Sequence, residues 1–494
     1  MEQMIKIIND IVWSNWLVGL FLVAGVYFSI RTRFLQVRNV KEMCSLAISR
    51  KKSEKGISSF QALSVSLAGR IGTGNIAGVG TAIALGGPGA VFWMWIIAFL
   101  GAGTAFVEST LGQLYKVEED GQYRGGPAYY IEKGLGKKGF GILFALATLI
   151  AMGLLLPGVQ SNSIANSMNT AFGLSSSVVG IALISVLGLI IFGGIRRIGI
   201  VAEIIVPFMG LAYILMALVI IAFNITKLPA VITLIFKSAF GAEQAFAGIM
   251  GLTISWGVKR GVYSNEAGRG TGPQSAAAAE ANHPAEQGFL QAFSVYIDTL
   301  VVCSATAFMI LICQTYNVVG SDGTMLVEFL PGVEYGPAFT QLAIDSFIPG
   351  IGKSFVAIAL FFFAFTSAMA SYYIAETNLS YLAKKLFNKE VGKLPLNILR
   401  VVLLSTVYLG CVRKAGLAWT LGDIGVGITA WINIIAIFFM TKPALACLKD
   451  YETQRKAGIE KEDLIFDPIK LGIKNADLWE EKYKYKVASI TKEK

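Results

Sequence analysis

The sequence predicts an all-α membrane protein of eleven transmembrane helices, on three observations. Of the 494 residues, 54% are hydrophobic and only 15% are charged, where a soluble chain carries about 25% charged residues. Apolar runs of about 20 residues recur, enough to cross a hydrocarbon layer roughly 30 Å thick, and they are too continuous for the alternating segments of about ten residues that form a membrane β-barrel. Two of the runs are interrupted by glycine and charge and stand five spans apart. An odd number of spans inverts a second copy, so this spacing is expected of two inverted five-helix repeats, here preceded by one extra helix.

In chain order the runs are 12–30, 57–85, 89–114, 140–165, 176–194, 197–224, 241–265, 287–315, 351–379, 395–412 and 418–441. The first lacks a charged n-region followed by an A-x-A cleavage site, so it is expected to persist as a helix. The chain then divides into an extra helix with a basic loop (1–56), a first repeat (57–224), a second, inverted repeat (225–442) and a tail (443–494). Its mixed charge makes the tail an expected solvated cytoplasmic extension.

Lysine and arginine set the expected orientation. Arg31, Arg33, Arg38, Lys41, Arg50, Lys51, Lys52 and Lys55 place the first loop in the cytoplasm, and alternation puts Lys116, Arg124, Lys133, Arg196, Arg197, Arg269, Lys384 and Lys385 inside as well. Outside loops keep only Lys227 and Lys237, then Arg413 and Lys414, and the stretch 314–350 is acidic. The N-terminus is therefore expected outside and the C-terminus in the cytoplasm. The net charge of +10 is explained by these loops and needs no nucleic-acid partner. Five scattered cysteines and a single histidine, His283, suggest neither a disulfide framework nor a zinc site. "GTGNIA" imitates a dinucleotide-binding turn, but no strand precedes it and it lies within a span.

The run 57–85 is centred near Ile71, which puts "GRIGTGN" at mid-bilayer depth, and 241–265 leads into "SWGVKRGVYSNEAGRGTG", where Gly257 and Gly261 accompany Lys259 and Arg260. Unwound backbone within a membrane is tolerated where it lines a cavity; its free N–H groups can hold a carboxylate and its free carbonyls a cation. The alternative reading is close helix packing, for which Gly74 and Gly78 would serve. Arg70, Glu108, Glu203, Glu243, Lys259, Arg260, Asp298 and Asp423 fall within or beside the runs. Glu108, Glu203 and Glu243 are close enough to an end to snorkel, whereas Arg70 and Asp298 share a depth and are read as an ion pair or gate. Polar residues cluster in "GVQSNSIANSMN" and in "FTSAMASYY", around Thr366 and Ser367.

"GGPGAVFWMW" (86–95), "QYRGGPAYYI" (122–131) and "RGVYSNEAGRGTGP" (260–273) resemble the alanine or glycine:cation symporter family of prokaryotes. The resemblance implies the leucine-transporter fold of the amino acid-polyamine-cation superfamily, in which 57–85, 241–265 and 351–379 are core helices one, six and eight. It implies that the amides of Thr73 and Gly74, beside Asn75, hold a substrate carboxylate and that Gln160 meets the substrate amine or carboxylate. It also implies that Ser255, Trp256, Gly257 and Val258 surround the substrate side chain, with Trp256 as its steric limit, and that backbone oxygens of Ala68 and Ile71 with the hydroxyls of Thr366 and Ser367 bind one sodium ion. The implied activity is sodium-coupled import of alanine, glycine or glutamine through a prokaryotic plasma membrane. The chain is then no enzyme: Na+ is the coupling ion, no organic cofactor is needed, the small neutral amino acid and the lipid bilayer are the partners, and a monomer suffices. Proton coupling, with Asp298 as the acid, is the nearest alternative; a channel or a membrane-embedded enzyme is further away.

Overall fold

The structure, a computed structural model, describes residues 2–48, 56–119, 121–413 and 415–492. The loop cations Arg50, Lys51, Lys52, Lys55 and Lys414 lie outside the described residues. The chain opens with α1 (Glu2–Val12), α2 (Asn15–Arg31) and two short helices, α3 (Leu35–Arg38) and α4 (Val40–Ile48). Next comes α5 (Ser59–Arg70), started by a capping box: Ser58 Oγ accepts from Gln61 N at 3.1 Å and Gln61 Oε1 accepts from Ser58 N at 3.1 Å, so two end donors of the helix are satisfied reciprocally. The helix stops at Ile71, whose backbone is extended, and resumes through a π-turn (Gly74–Gly78) into α6 (Val79–Gly86).

A long helix α7 (Ala90–Leu114) follows, then a hairpin of β1 (Val117–Glu119) and β2 (Gln122–Arg124), then α8 (Pro127–Leu135). Pro127 starts α8 at the one position where a missing N–H costs nothing. α9 (Lys138–Ile150) and α10 (Leu156–Phe172) are joined through a second π-turn, Ala151–Leu155. α11 (Ser176–Ile191), α12 (Gly194–Phe223), α13 (Leu228–Ala239), α14 (Met250–Asn265) and the short α15 (Gly272–Ala278) lead to α16 (Pro284–Val295). A third π-segment, Tyr296–Cys303, connects α16 to α17 (Ser304–Ile312). After the β3 (Asn317–Val319) and β4 (Met325–Glu328) hairpin come α18 (Pro337–Phe347), the 36-residue α19 (Gly352–Phe387), α20 (Lys393–Val412), α21 (Ala415–Phe439), α22 (Thr441–Lys456) and α23 (Asp477–Lys492).

This is a mostly helical membrane protein. Among the described residues eight helical segments are long and apolar enough to span, nine if Ile225–Ala239 and Gln244–Asn265, bent by 45° at their junction, form one span. The expected eleven therefore includes segments below that threshold: the interrupted 57–86 and the short α11. Exposed Ile181, Leu189, Ile204, Phe208 and Leu211 face outward from α11 and α12, as lipid contact requires. Lys227 and Lys237 flank or belong to α13 and not a loop: its twelve residues begin with Leu228-Pro229 and carry an apolar stripe with Val231, Ile235 and Ala239 buried.

The tail departs from expectation. Leu464, Phe466, Ile473, Ala476 and Trp479 are buried, and Trp479 Nε1 donates to Gln113 O at 2.8 Å with its ring edge-on to Phe466. Asn475 Nδ2 donates to Lys133 O at 2.8 Å. Mixed charge conceals an apolar stripe that docks beneath α7. Trp479→Ala is expected to destabilise the protein by about 3–5 kcal/mol, the usual cost of deleting a large buried aromatic; thermal unfolding of the purified variant measures it.

Candidate functional site

The first break forms as the glycines suggest. Between α5 and the π-turn, Gly72 N donates to Asn75 Oδ1 at 2.8 Å, so a side chain replaces the lost helical partner. Thr73 N and Thr73 Oγ1 both donate to Gln160 Oε1, at 3.2 and 2.5 Å. Ser367 Oγ, on α19, donates to Ala68 O at 2.9 Å and Gly69 O at 3.2 Å. Thr73, Asn75, Gln160, Ser367 and Ala68 are thus brought together, with Ile71 and Gly74 beside them. Thr366 is turned away: its hydroxyl donates back to Phe363 O at 3.0 Å within its own helix.

The second break lies elsewhere than predicted. α14 runs unbroken through Ser255, Trp256, Gly257 and Val258. A Cβ on Gly257 would meet Ala90 O and Trp93 Cβ at 2.6 Å, so that glycine serves close packing against α7. Val258 is fully buried in the core, and Trp256 lines an outer vestibule, not the inner pocket. The chain unwinds instead over Glu266–Thr271, where Glu266, Gly268 and Gly270 all have positive φ, at 59°, 83° and 79°. Only glycine adopts such angles freely. Arg269, expected in a cytoplasmic loop, sits buried in this break; it donates from Nη1 to Tyr263 O at 3.1 Å and pairs with Glu266 Oε1 at 3.3 Å. Thr271 Oγ1 donates to Glu266 Oε2 at 2.9 Å.

The two breaks face one another across a small pocket of about 20 Å³, to which Gly72 and Gly74 contribute from the first, Glu266 and Arg269 from the second, and Gln160 and Ser367 from the scaffold. Met152 and Leu156, in and just after the π-turn Ala151–Leu155, supply an apolar wall, and Tyr263 closes the pocket as well. A π-turn inserts one extra residue and swings the following side chains around the helix, which is why it marks functional sites. Those two apolar residues and Tyr263 line the pocket, whereas Trp256 does not.

Arg70 and Asp298 do not form an ion pair. Arg70 Nη1 donates to Gln291 Oε1 at 3.0 Å and to Gln291 O at 3.3 Å. Asp298 Oδ1 accepts from Asn75 Nδ2 at 2.7 Å and from Ser264 Oγ at 3.0 Å, while Oδ2 accepts from Thr299 Oγ1 at 2.7 Å. Equal depth in the membrane does not fix the side of the helix a residue faces. The charge cluster that does form was missed as a unit. Asp423 on α21 accepts from Arg260 Nη1 and Nη2 at 3.1 and 3.0 Å and pairs with Lys259 Nζ at 2.9 Å. The Arg260 guanidinium lies 5.2, 5.5 and 5.0 Å from the rings of Trp256, Tyr263 and Trp419.

This cluster is the floor of a vestibule of about 830 Å³, which Thr81, Asn166, Tyr335 and Gln341 also line. One turn further along α14, Tyr263 roofs the inner pocket. Away from the vestibule the chain is cross-tied: Ile57 N donates to Ala278 O at 3.2 Å and Glu280 N to Ile57 O at 3.0 Å. Gln113 Nε2 and Lys116 Nζ both donate to Ala279 O at 2.8 Å, and Lys482 Nζ, from the tail, to Ala281 O at 2.6 Å. The segment before α5, the stretch after α15 and the tail are therefore tied to one another.

A profile of the "Sodium:alanine symporter family" matches residues 1–465. The chain is 60% identical over 491 residues to the "Putative sodium/proton-dependent alanine carrier protein YrbD" of Bacillus subtilis (strain 168), covering 99% of this chain and 100% of that protein. It is 52% identical over 443 residues to the "Sodium/proton-dependent alanine carrier protein" of Bacillus sp. (strain PS3), covering 90% and 98%. A "Probable sodium/glutamine symporter GlnT" of Bacillus subtilis (strain 168) is 44% identical over 462 residues, covering 93% and 92%. A solved Na+-coupled sialic acid symporter overlaps with 13% identity and a TM-score of 0.42, over 89% of this chain and 86% of that one, a likeness too slight to argue from. The chain belongs to the sodium:alanine symporter family, whose members are transporters and not enzymes.

Proposed function

We propose that the protein imports a small neutral amino acid, alanine foremost, together with sodium by alternating access. The observation that carries this reading is the meeting of two unwound segments at one buried pocket, with a larger vestibule on the other side of Tyr263. Broken helices at a repeat interface present N–H groups to an anion and carbonyls to a cation. Thr73 N already makes a bond to an uncharged oxygen, Gln160 Oε1; a substrate carboxylate competes for the same donor with a full charge and is the stronger acceptor. Ser367 Oγ and the carbonyls of Ala68 and Gly69 form an all-oxygen set suited to a hard cation, with Ile71 at the adjoining break. Sodium there would tie α19 to the end of α5 and so fix the amides that face the substrate. Each sodium ion moving inward gains about 2.3 kcal/mol per 100 mV, besides its gradient.

The 57–86 and α11 segments complete eleven spans in this reading. The chain divides at 57, 225 and 443 into an extra helix with its basic loop, two inverted repeats and the tail, and the repeats are broken at Ile71–Thr73 and Glu266–Thr271. The face that carries Lys116, Lys133, Lys385 and Lys482 is the cytoplasmic one in this reading, so the N-terminus is outside, the vestibule opens outward in a prokaryotic plasma membrane, and a monomer suffices. Met152→Ala is expected to admit larger amino acids: competition by a two-carbon longer substrate should rise about 10-fold relative to alanine, within the 1–3 kcal/mol that methylene-scale changes in an apolar pocket supply. Uptake competition across a panel of unlabelled amino acids measures it.

Counterflow of labelled alanine in proteoliposomes, with a sodium gradient, a lithium gradient or a pH step imposed separately, tests the whole reading. Sodium alone is expected to drive exchange. One observation favours a second reading, proton coupling: Asp298 is fully buried and, among the described residues, has no ion-pair partner. Exchange driven by the pH step and lost in Asp298→Asn would establish it.

A further inference from the structure

We infer that Glu108 is the positioning residue that shapes the second break and thereby presents Arg269 and Glu266 to the pocket. Glu108 is fully buried, at 0% exposure, so it does not snorkel to an interface as its place near the end of a run suggests. Both carboxylate oxygens are committed to the unwound backbone: Oε1 accepts from Gly268 N at 3.0 Å and Oε2 from Gly270 N at 3.1 Å. Oε2 also accepts from Asn433 Nδ2 at 2.7 Å. The same Asn433 nitrogen donates to Gly268 O at 2.9 Å, and Asn433 Oδ1 accepts from the Tyr130 hydroxyl. Backbone groups that a continuous helix would pair internally are thus paired by side chains from α7 and α21, which buried polar groups require.

The geometry has a directional consequence. With the amides of residues 268 and 270 both turned towards α7, the intervening Arg269 is turned the opposite way, where its guanidinium meets Tyr263 O and Glu266 and lines the pocket. Positive φ at Gly268 and Gly270 is what lets two alternate amides face one side. Among the described residues Glu108 makes no ion pair, so the N–H dipoles and Asn433 are its direct partners. An apolar side chain would pack as well in a merely structural position, but only a carboxylate offers two acceptor oxygens to two amides at once. The inference rests on the transport reading above and adds the residue that sets the second half of its site.

The test compares the full-length wild type with Glu108→Gln in nanodiscs. A glutamine keeps the shape but has one acceptor oxygen, leaving an N–H₂ group against the other amide. We expect hydrogen exchange of the 266–272 peptide to quicken at least tenfold and alanine affinity to weaken at least tenfold. The half-saturating sodium concentration measured without alanine should change less than threefold, because the sodium set lies at the other break. Wild-type alanine affinity in Glu108→Gln overturns the proposal, and so does a parallel loss of alanine binding, sodium binding and thermal stability, which a merely structural role would produce. Should Glu108→Gln not yield a monodisperse protein, the wild type decides: exchange in 266–272 as slow as in the flanking helices supports the positioning role of Glu108, and exchange at the rate of unstructured chain overturns it. Absence of any alanine response in the wild type would count against the transport reading and leave the exchange result on Glu108 standing.

Discussion

Asp423→Ala is expected to abolish alanine uptake and to lower stability by about 3–5 kcal/mol, the cost of removing one partner from a buried ion pair. The carboxylate is 3% exposed and is shared by two cations that are themselves buried, Arg260 at 3% and Lys259 at 8%. Without it two like charges face each other in the vestibule lining, and the guanidinium loses the carboxylate that fixes it between Trp256 and Trp419. Trp13 Nε1 donates to Asp423 O at 2.8 Å, so α21 is also tied here to the chain before α2. The complementary variant separates charge balance from bulk: Lys259→Met leaves a one-to-one Arg260–Asp423 pair and is expected to fold at least as well as the wild type. Thermal unfolding and uptake of both variants check this; a stable, active Asp423→Ala would show that the cluster is ornamental.

Ser367→Ala is expected to raise the half-saturating sodium concentration at least tenfold, about 1.4 kcal/mol of binding energy, while alanine affinity at saturating sodium changes less. Thr366→Ala should have a smaller effect. The contrast follows from where the two hydroxyls point. Ser367 Oγ reaches across to Ala68 O and Gly69 O at the end of α5, whereas Thr366 Oγ1 is spent on Phe363 O of its own helix. Adjacent hydroxyls on a membrane helix commonly bond back in this way. Sodium-dependence curves for the two single variants decide the matter, and equal losses in both would remove Ser367 from its assigned role.

Much of the scaffold was legible in the sequence because apolar length is a one-dimensional signal: α7, α12, α19 and α20 begin and end within a few residues of the predicted runs, except that α19 continues to Phe387. The first break was legible because Gly72 and Gly74 sit in the middle of a run too long for one plain span. The second was misplaced by about three helical turns. Hydropathy treats "SWGVKRG" and "EAGRGTG" alike, since each combines glycine with a cation. What separates them is backbone geometry: Gly257 buys close contact with α7, whereas the alternating Gly268 and Gly270 supply positive φ. Ser255, Trp256, Gly257 and Val258 therefore lie on a continuous helix. Arg70, Asp298 and Glu108 were placed by depth alone, and depth is silent about azimuth. Gln291 beside Arg70, Asn75 and Ser264 beside Asp298, and Gly268 and Asn433 beside Glu108 carry no charge to announce themselves. Trp479 was hidden for a different reason, because a stripe of a few apolar residues is diluted by the charge around it.

The central claim is that sodium and the amino acid occupy one coupled site formed by the two breaks. Measuring alanine binding with and without saturating sodium, and sodium binding with and without saturating alanine, on the same purified wild-type protein tests it most directly. The account predicts that each ligand tightens the other by the same factor, at least tenfold, as linkage demands of two ligands that stabilise one arrangement of the chain. Alanine affinity that is identical in the presence and absence of sodium would contradict it.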